Sequence, residues 1–159
     1  MTQPALSPNE QVLTDFFTAF ARLDPAGMAA HYDPQVVFRD PVFGRLEGDQ
    51  ARRMWAMLCG GARDFHLDFG GIRADETTGE AWWTASYTFS GTGRQVVNRV
   101  RSQFRFRDGR ILEQRDRFSL RRWSAQALGP AAQVMSAPGL RRMIRRQATN
   151  RLRSWGRPS

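Results

Sequence analysis

Two alternating stretches meet at Asp108-Gly109, and no other feature of this 159-residue chain limits its fold as sharply. An Asp-Gly pair between strands is the strongest short-range hairpin signal, because a tight type I′ turn needs positive φ at both central residues. Before the turn, Val100, Ser102, Phe104 and Phe106 fall on one face, and Arg99, Arg101, Gln103 and Arg105 on the other. After it, Gln114, Asp116 and Phe118 share a face opposite Glu113, Arg115 and Arg117. Successive strand residues point to opposite sides, and the apolar side must be covered by other elements. Asp116 is therefore expected to point inward, where an unpaired carboxylate is costly.

The rest of the chain supplies the covering elements. Ser7 and Pro8 start a helix whose Val12, Leu13, Phe16, Phe17, Phe20 and Leu23 recur at helical spacing until Asp24-Pro25. A shorter helix is expected over 25–32, ending with Tyr32, after which Asp33-Pro34 turns the chain into a strand over 35–40. In that strand Val36, Phe38 and Asp40 share one face, and Pro41 stops it. Residues 44–48 read as a turn, 49–58 as a third helix, and 64–74, 80–89, 96–107 and 110–118 as strands. Trp55, Trp82, Trp83 and Trp123 are expected to line or close a cavity. Short and long helices, over 123–129 and 140–155, complete the reading.

Composition places this pattern in one globular domain: 41% of the residues are hydrophobic, and no apolar run approaches the roughly 20 residues of a membrane span. The start, MTQPALSPNEQ, has no basic segment followed by an apolar one, so no signal peptide is expected. A lone cysteine, Cys59, excludes an intrachain disulfide framework and a multi-cysteine metal site. A cytoplasmic protein fits these features. The net charge is +9 with no lysine, and it is unevenly placed: residues 118–159 hold nine arginines and no acid. Two zones follow, a domain over 1–129 and a basic amphipathic helical tail over 130–159. Leu140, Met143, Ile144, Ala148, Leu152 and Trp155 form the tail's apolar face. Docking of that face on the domain or on a sister subunit is the simpler reading. Contact with a membrane surface or nucleic acid through 140–155 is the weaker one, since no nucleic-acid-binding motif accompanies it. Arg99, Arg101, Arg105, Arg115 and Arg117 make the outer sheet face strongly basic, which suits a homodimer, an acidic partner or a solvated surface.

The order of helix, helix, acid-ended strand, helix and four strands resembles the nuclear transport factor 2-like superfamily. Its SnoaL-like members include relatives of ketosteroid isomerases and limonene epoxide hydrolase. Two strings carry the resemblance, FRDPVFG at 38–44 and DGRILEQRDRF at 108–118. It implies an α+β fold: a cone-shaped, curved, mostly antiparallel β-sheet wrapped around N-terminal helices, here with a C-terminal helical extension. It also implies dimerisation, and it places the isomerase general base at Asp40 and an epoxide-hydrolase acid at Asp116. The isomerase oxyanion donors fall on Phe16 and Ser102, and the strand EAWWTASYTF lacks the hydrolase Arg and Asp, so neither complete catalytic set is present.

Asp40 and Asp116 are thus the candidate catalytic residues, two inward carboxylates across one cavity whose pKa values can be pushed apart into an acid and a base. Phe16, Phe38, Trp55, Trp83, Tyr87, Ser102, Gln114 and Phe118 are the candidate substrate-binding residues. His31 and His66 lie too far apart in sequence to suggest a metal site, and no glycine-rich phosphate loop is present, so neither metal nor cofactor is expected. The readings left are cofactor-independent acid/base catalysis on a small apolar compound, of isomerase, cyclase or hydrolase type, or a non-catalytic ligand-binding or interaction domain.

Overall fold

The turn residues adopt the backbone their chemistry favours. In the computed structural model, which describes residues 4–156, Asp108 has φ 51° and Gly109 φ 76°. They join β5 (Gln95–Arg107) to β6 (Arg110–Arg117), with Ser102 opposite Asp116 and Phe104 opposite Gln114. A bulge interrupts this pairing: Phe106 faces Ile111 while Arg105 faces Glu113, leaving Leu112 as the extra residue. Ile111 is consequently buried, and the simple alternation is broken at that one point.

Six strands form one sheet in the order β2-β1-β6-β5-β4-β3. Here β1 is Tyr32–Asp40, β2 Gly44–Glu47, β3 His66–Ala74 and β4 Thr78–Thr88. Every pairing is antiparallel except β1 with β6, which run parallel. The architecture is the expected mostly antiparallel α+β arrangement. The first helix, α1 (Pro8–Ala21), lays Leu13, Phe16, Phe17 and Phe20 on the inner sheet face. Ser7 caps it by accepting from the Glu10 N–H. Burying each such side chain contributes about 2 kcal/mol. Phe17 stacks on Phe69 and Phe20 meets Trp55 edge-on, with ring centres 5.6 and 4.9 Å apart.

Four sequence expectations need correction. The second helix, α2 (Pro25–Ala29), stops before Tyr32, which belongs to β1. Asp33-Pro34 does not end an element but lies inside β1, where the pairing with β6 is irregular between Tyr32 and Val37 and tolerates the missing Pro34 N–H. Residues 44–47 are not a turn but β2, an edge strand returning along β1. Gly44, at φ 72°, lets the chain reverse there. Trp82 lies on the outer sheet face, 54% exposed beneath the Arg101 guanidinium, and takes no part in the cavity. Adjacent strand residues must point to opposite sides, so only Trp83 of the pair can face inward.

The third helix, α3 (Asp49–Gly61), and two C-terminal helices, α4 (Leu120–Leu128) and α5 (Ala137–Ser154), close the inner side; a 3-10 turn at Pro130–Val134 links the last two. The basic helix α5 is docked on the domain. Leu152 enters the main core, while Leu140 and Ile144 pack with Trp123 and Ala127 of α4. Arg53 of α3 donates to the Trp155 carbonyl at 2.6 Å and lies over the Trp155 ring, satisfying the end of α5. No helix among the described residues is long and apolar enough to cross a membrane.

Candidate active site

Strand register brings the two candidate carboxylates together. Arg39 of β1 stands opposite Arg115 of β6, so the next residues along these parallel strands, Asp40 and Asp116, lie at the same level on adjacent strands. Neighbouring strands are about 4.8 Å apart. The two acids are therefore side by side on one wall, not across the cavity as the sequence suggested. Both line an apolar cavity of about 500 Å³ enclosed by α3, β4, β6, α4 and α5. A larger depression, about 710 Å³, crosses the outer sheet face among solvated charges such as Arg39, Arg105, Glu113 and Arg115. The inner cavity is the better candidate site because its few polar groups converge inside apolar walls.

The polar interior is a set of hydrogen bonds whose directions are forced. An indole N–H can only donate. Trp55 donates to the Tyr32 hydroxyl at 2.7 Å, Tyr32 donates to Gln114 Oε1 at 2.6 Å, and Gln114 donates through Nε2 to Asp116 Oδ1 at 3.0 Å. A second relay begins at Trp83, which donates to Ser102 Oγ at 2.7 Å, and Ser102 donates to the same Asp116 Oδ1 at 2.5 Å. Two chains of donors thus converge on one oxygen. Asp116 Oδ2 has no protein partner among the described residues, so a proton on this carboxyl group belongs on Oδ2.

Every donor to Asp116 is neutral, and no cation offsets its burial. Burial pushes its pKa up to about 7 against the lowering effect of Ser102 and Gln114, with the Asp40 charge adding to the rise. Asp40 ends β1 and caps its own turn, accepting from the Phe43 N–H at 2.6 Å. It is half-buried and lines the cavity. Burial raises its pKa to about 6, opposed first by the turn's backbone N–H groups and then by Arg145. The two therefore titrate as a pair in the neutral range. Tyr87 adds a third polar group. Its hydroxyl accepts from the Trp123 indole at 2.8 Å, its own proton has no partner among the described residues, and burial raises its pKa.

Of the candidate binding residues, Phe38, Trp55, Trp83, Tyr87 and Phe118 are on the cavity wall with the two acids. Phe16, Ser102 and Gln114 are not; they lie in the layer beneath it, fully or almost fully buried. Phe16 stacks on Tyr32 with ring centres 5.5 Å apart, while Ser102 and Gln114 serve as donors to Asp116. Tyr32 is the participant that sequence reasoning missed; Trp55 and Trp83 act here also through their N–H groups. No local signal marks Tyr32, since its strand placement comes from pairing with β6. His66 pairs with Asp68 on the exposed side of β3. Among the described residues no three His, Cys, Asp or Glu side chains gather into a metal-binding group.

Comparison with known proteins gives a consistent picture. A family model described as a SnoaL-like domain matches residues 13–114. No curated protein sequence matches the chain significantly. Among solved structures it is similar to a protein of unknown function from Burkholderia pseudomallei described as NTF2-like, at 19% identity and TM-score 0.65, covering 76% of this chain and 98% of that one. It is also similar to a candidate polyketide cyclase from a Silicibacter species, at 20% identity and TM-score 0.66, covering 79% and 98%. A third, described as a candidate hydroxylase from Streptomyces galilaeus, has 20% identity and TM-score 0.64, covering 76% and 96%. At these identities the likeness establishes the fold.

Proposed function

Since the chain belongs to the SnoaL-like domain family, we propose that it is a small-molecule enzyme using cofactor-independent acid/base catalysis on an apolar compound, of isomerase or cyclase type. The observation that carries this reading is the Asp40–Asp116 pair, held side by side on the cavity wall with both pKa values raised into the neutral range. A pair that shares one proton has a base and an acid available at once. The ionised member takes a proton from a substrate C–H or O–H, and the protonated member returns one from its cavity-side oxygen. The unassigned Tyr87 proton is placed to donate to an oxygen that gains negative charge. The similar solved structure described as a candidate polyketide cyclase supports a small-molecule chemistry of this general kind.

Non-catalytic ligand binding is the second reading. It is favoured by Phe16, which has no proton to donate and lies in the core. Both readings allow a homodimer through the outer sheet face, where Trp82 and Val97 expose apolar surface among the arginines. Light scattering of the wild type and of Trp82→Glu tests that association: a dimer that the substitution dissociates is expected, and a wild-type monomer contradicts it. Docking of α5 buries Leu140, Ile144 and Leu152, so the tail presents arginines rather than an apolar face to the surroundings.

Proton transfer itself tests the enzymatic reading. Cyclic and aryl ketones such as 2-tetralone are incubated with the protein in deuterated buffer, and exchange at the α-carbon is followed by NMR. Protein-dependent exchange is expected, falling at least about 100-fold in Asp40→Asn and in Asp116→Asn. It should be fastest between about pH 6 and 7, declining below as both acids protonate and above as both ionise. Equal exchange in both variants, or none in the wild type, contradicts catalysis and leaves the binding reading.

A further inference from the structure

Helix α5 contributes more than a cover to this cavity. Ile144, Gln147, Ala148 and Arg151 all line it, at the i, i+3, i+4, i+7 spacing of a single helix face. Arg151 is the sole cationic residue on the cavity wall among the described residues. It lies at the opening, where it and the loop residues Ser90 and Gly91 are exposed. Its Nη2 donates to Ser90 Oγ at 3.0 Å, a neutral acceptor. It forms no ion pair with any described acid, and residues 118–159 contain no acid that could supply one. The other α5 arginine near the site is engaged elsewhere: Arg145 packs over Gly44 and reaches the Pro41 carbonyl at 3.4 Å, off the cavity wall.

The cavity is therefore polar in an ordered way. Two carboxyl groups converge from β1 and β6, aromatic and aliphatic walls follow, and one uncompensated guanidinium stands at the mouth. A guanidinium has five N–H donors in a planar fork that matches a carboxylate, and Ser90 occupies only part of it. Resting on the reading of this cavity as a substrate pocket, we propose that its substrates are apolar ring compounds bearing a carboxylate, with Arg151 binding that group at the mouth while the ring system reaches the aspartates. Arg151 is then a specificity determinant supplied by a segment beyond the matched SnoaL-like region, which ends at residue 114.

The test compares 2-naphthoic acid with its methyl ester, two ligands of one shape that differ in charge, by calorimetric titration at pH 8. The wild type is expected to bind the acid at least about tenfold more tightly, as charge-assisted hydrogen bonds to an arginine require. Arg151→Gln should abolish that preference by weakening the acid alone, leaving ester affinity unchanged. Arg153→Gln, an exposed substitution that removes the same charge off the cavity wall, should keep it. Asp40→Asn and Asp116→Asn remove negative charge from the cavity at pH 8, so they should keep or widen it, and failure of the catalytic reading in the exchange experiment would leave this result standing. The assignment is overturned if acid and ester bind the wild type equally, or if the preference survives Arg151→Gln. It is also overturned if Arg153→Gln loses the preference equally, or if Arg151→Gln weakens acid and ester alike. Binding of neither probe would overturn both this assignment and the pocket reading it rests on.

Discussion

Two aspartates at opposite ends of the β1–β6 pairing, Asp33 on β1 and Asp116 on β6, have opposite fates. Asp33, near the start of β1, is 6% exposed, and Asp116, beside that strand's far end, is 4% exposed. Covering alone would treat them alike. Asp33 sits at the protein's edge, accepts the Gln35 N–H at 2.8 Å, and is held by two bonds from the Arg107 guanidinium, at 2.9 and 3.2 Å. These bonds, the Gln35 N–H first, hold its pKa below the usual carboxylate range. Asp116 lies deep in the core, receives only neutral donors, and is raised to about 7. The difference teaches that the charge of the partner and the depth of the site, rather than exposed area, decide which aspartate is a structural anion and which can carry a proton at neutral pH.

The largest expected effect on stability comes from breaking a donor chain. Tyr32→Phe leaves the Trp55 N–H and Gln114 Oε1 without partners inside the core. Each orphaned group costs about 1–3 kcal/mol, so a loss of about 3 kcal/mol in urea unfolding is expected. A loss below about 1 kcal/mol would mean that the chain of donors does not form as described. Next comes the sign of the pH dependence. Asp116 has a folded pKa above its unfolded one, so the native state binds more protons than the unfolded state between about pH 4 and 7, and stability falls as pH rises through that window. Asp116→Asn should remove that fall, so the variant's gain over the wild type in thermal midpoint is greatest at pH 8 and shrinks toward pH 5. Asp33 has the reverse sign: its lowered pKa contributes stability above the unfolded pKa, lost as pH drops through the folded one. Asp33→Asn should therefore give no gain at pH 8. Arg107→Ala has the smallest effect, a loss of about 1 kcal/mol at pH 7, because its pairing with Asp33 is partly solvated. A larger loss there than in Tyr32→Phe would reverse the ranking of the two regions.

Much of this contrast is legible in the residues alone. The alternation through Phe104–Phe106 and Gln114–Phe118, pinned by Asp108-Gly109, places Asp116 inside. The apolar positions Val36 and Phe38 do the same for Asp40. The shared wall is not legible, because the parallel pairing of β1 with β6 joins segments more than 70 residues apart. No local pattern reports which distant strand becomes a neighbour. Tyr32 escapes a sequence reading because Asp33-Pro34 has the composition of a turn, and the surrounding sheet overrides it. Residues 44–47 escape it for the same kind of reason: a four-residue edge strand between glycines carries too little periodicity to be told from a turn. The outward course of Trp82 is legible from the two-residue period and its neighbour Trp83. Arg151 on the cavity wall follows from the docking direction of α5, which an amphipathic pattern leaves open.

The proposed chemistry of the cavity depends on Asp116 keeping a proton near neutral pH while Asp33 does not. Carboxyl-carbon NMR titration of aspartate-labelled protein measures this directly, with Asp116→Asn and Asp33→Asn supplying the assignments. Asp40 and Asp116 are expected to titrate together, with apparent pKa values of about 6 and about 7, and Asp33 below the ordinary range. An Asp116 signal that titrates near 4, alongside Asp33, would contradict it.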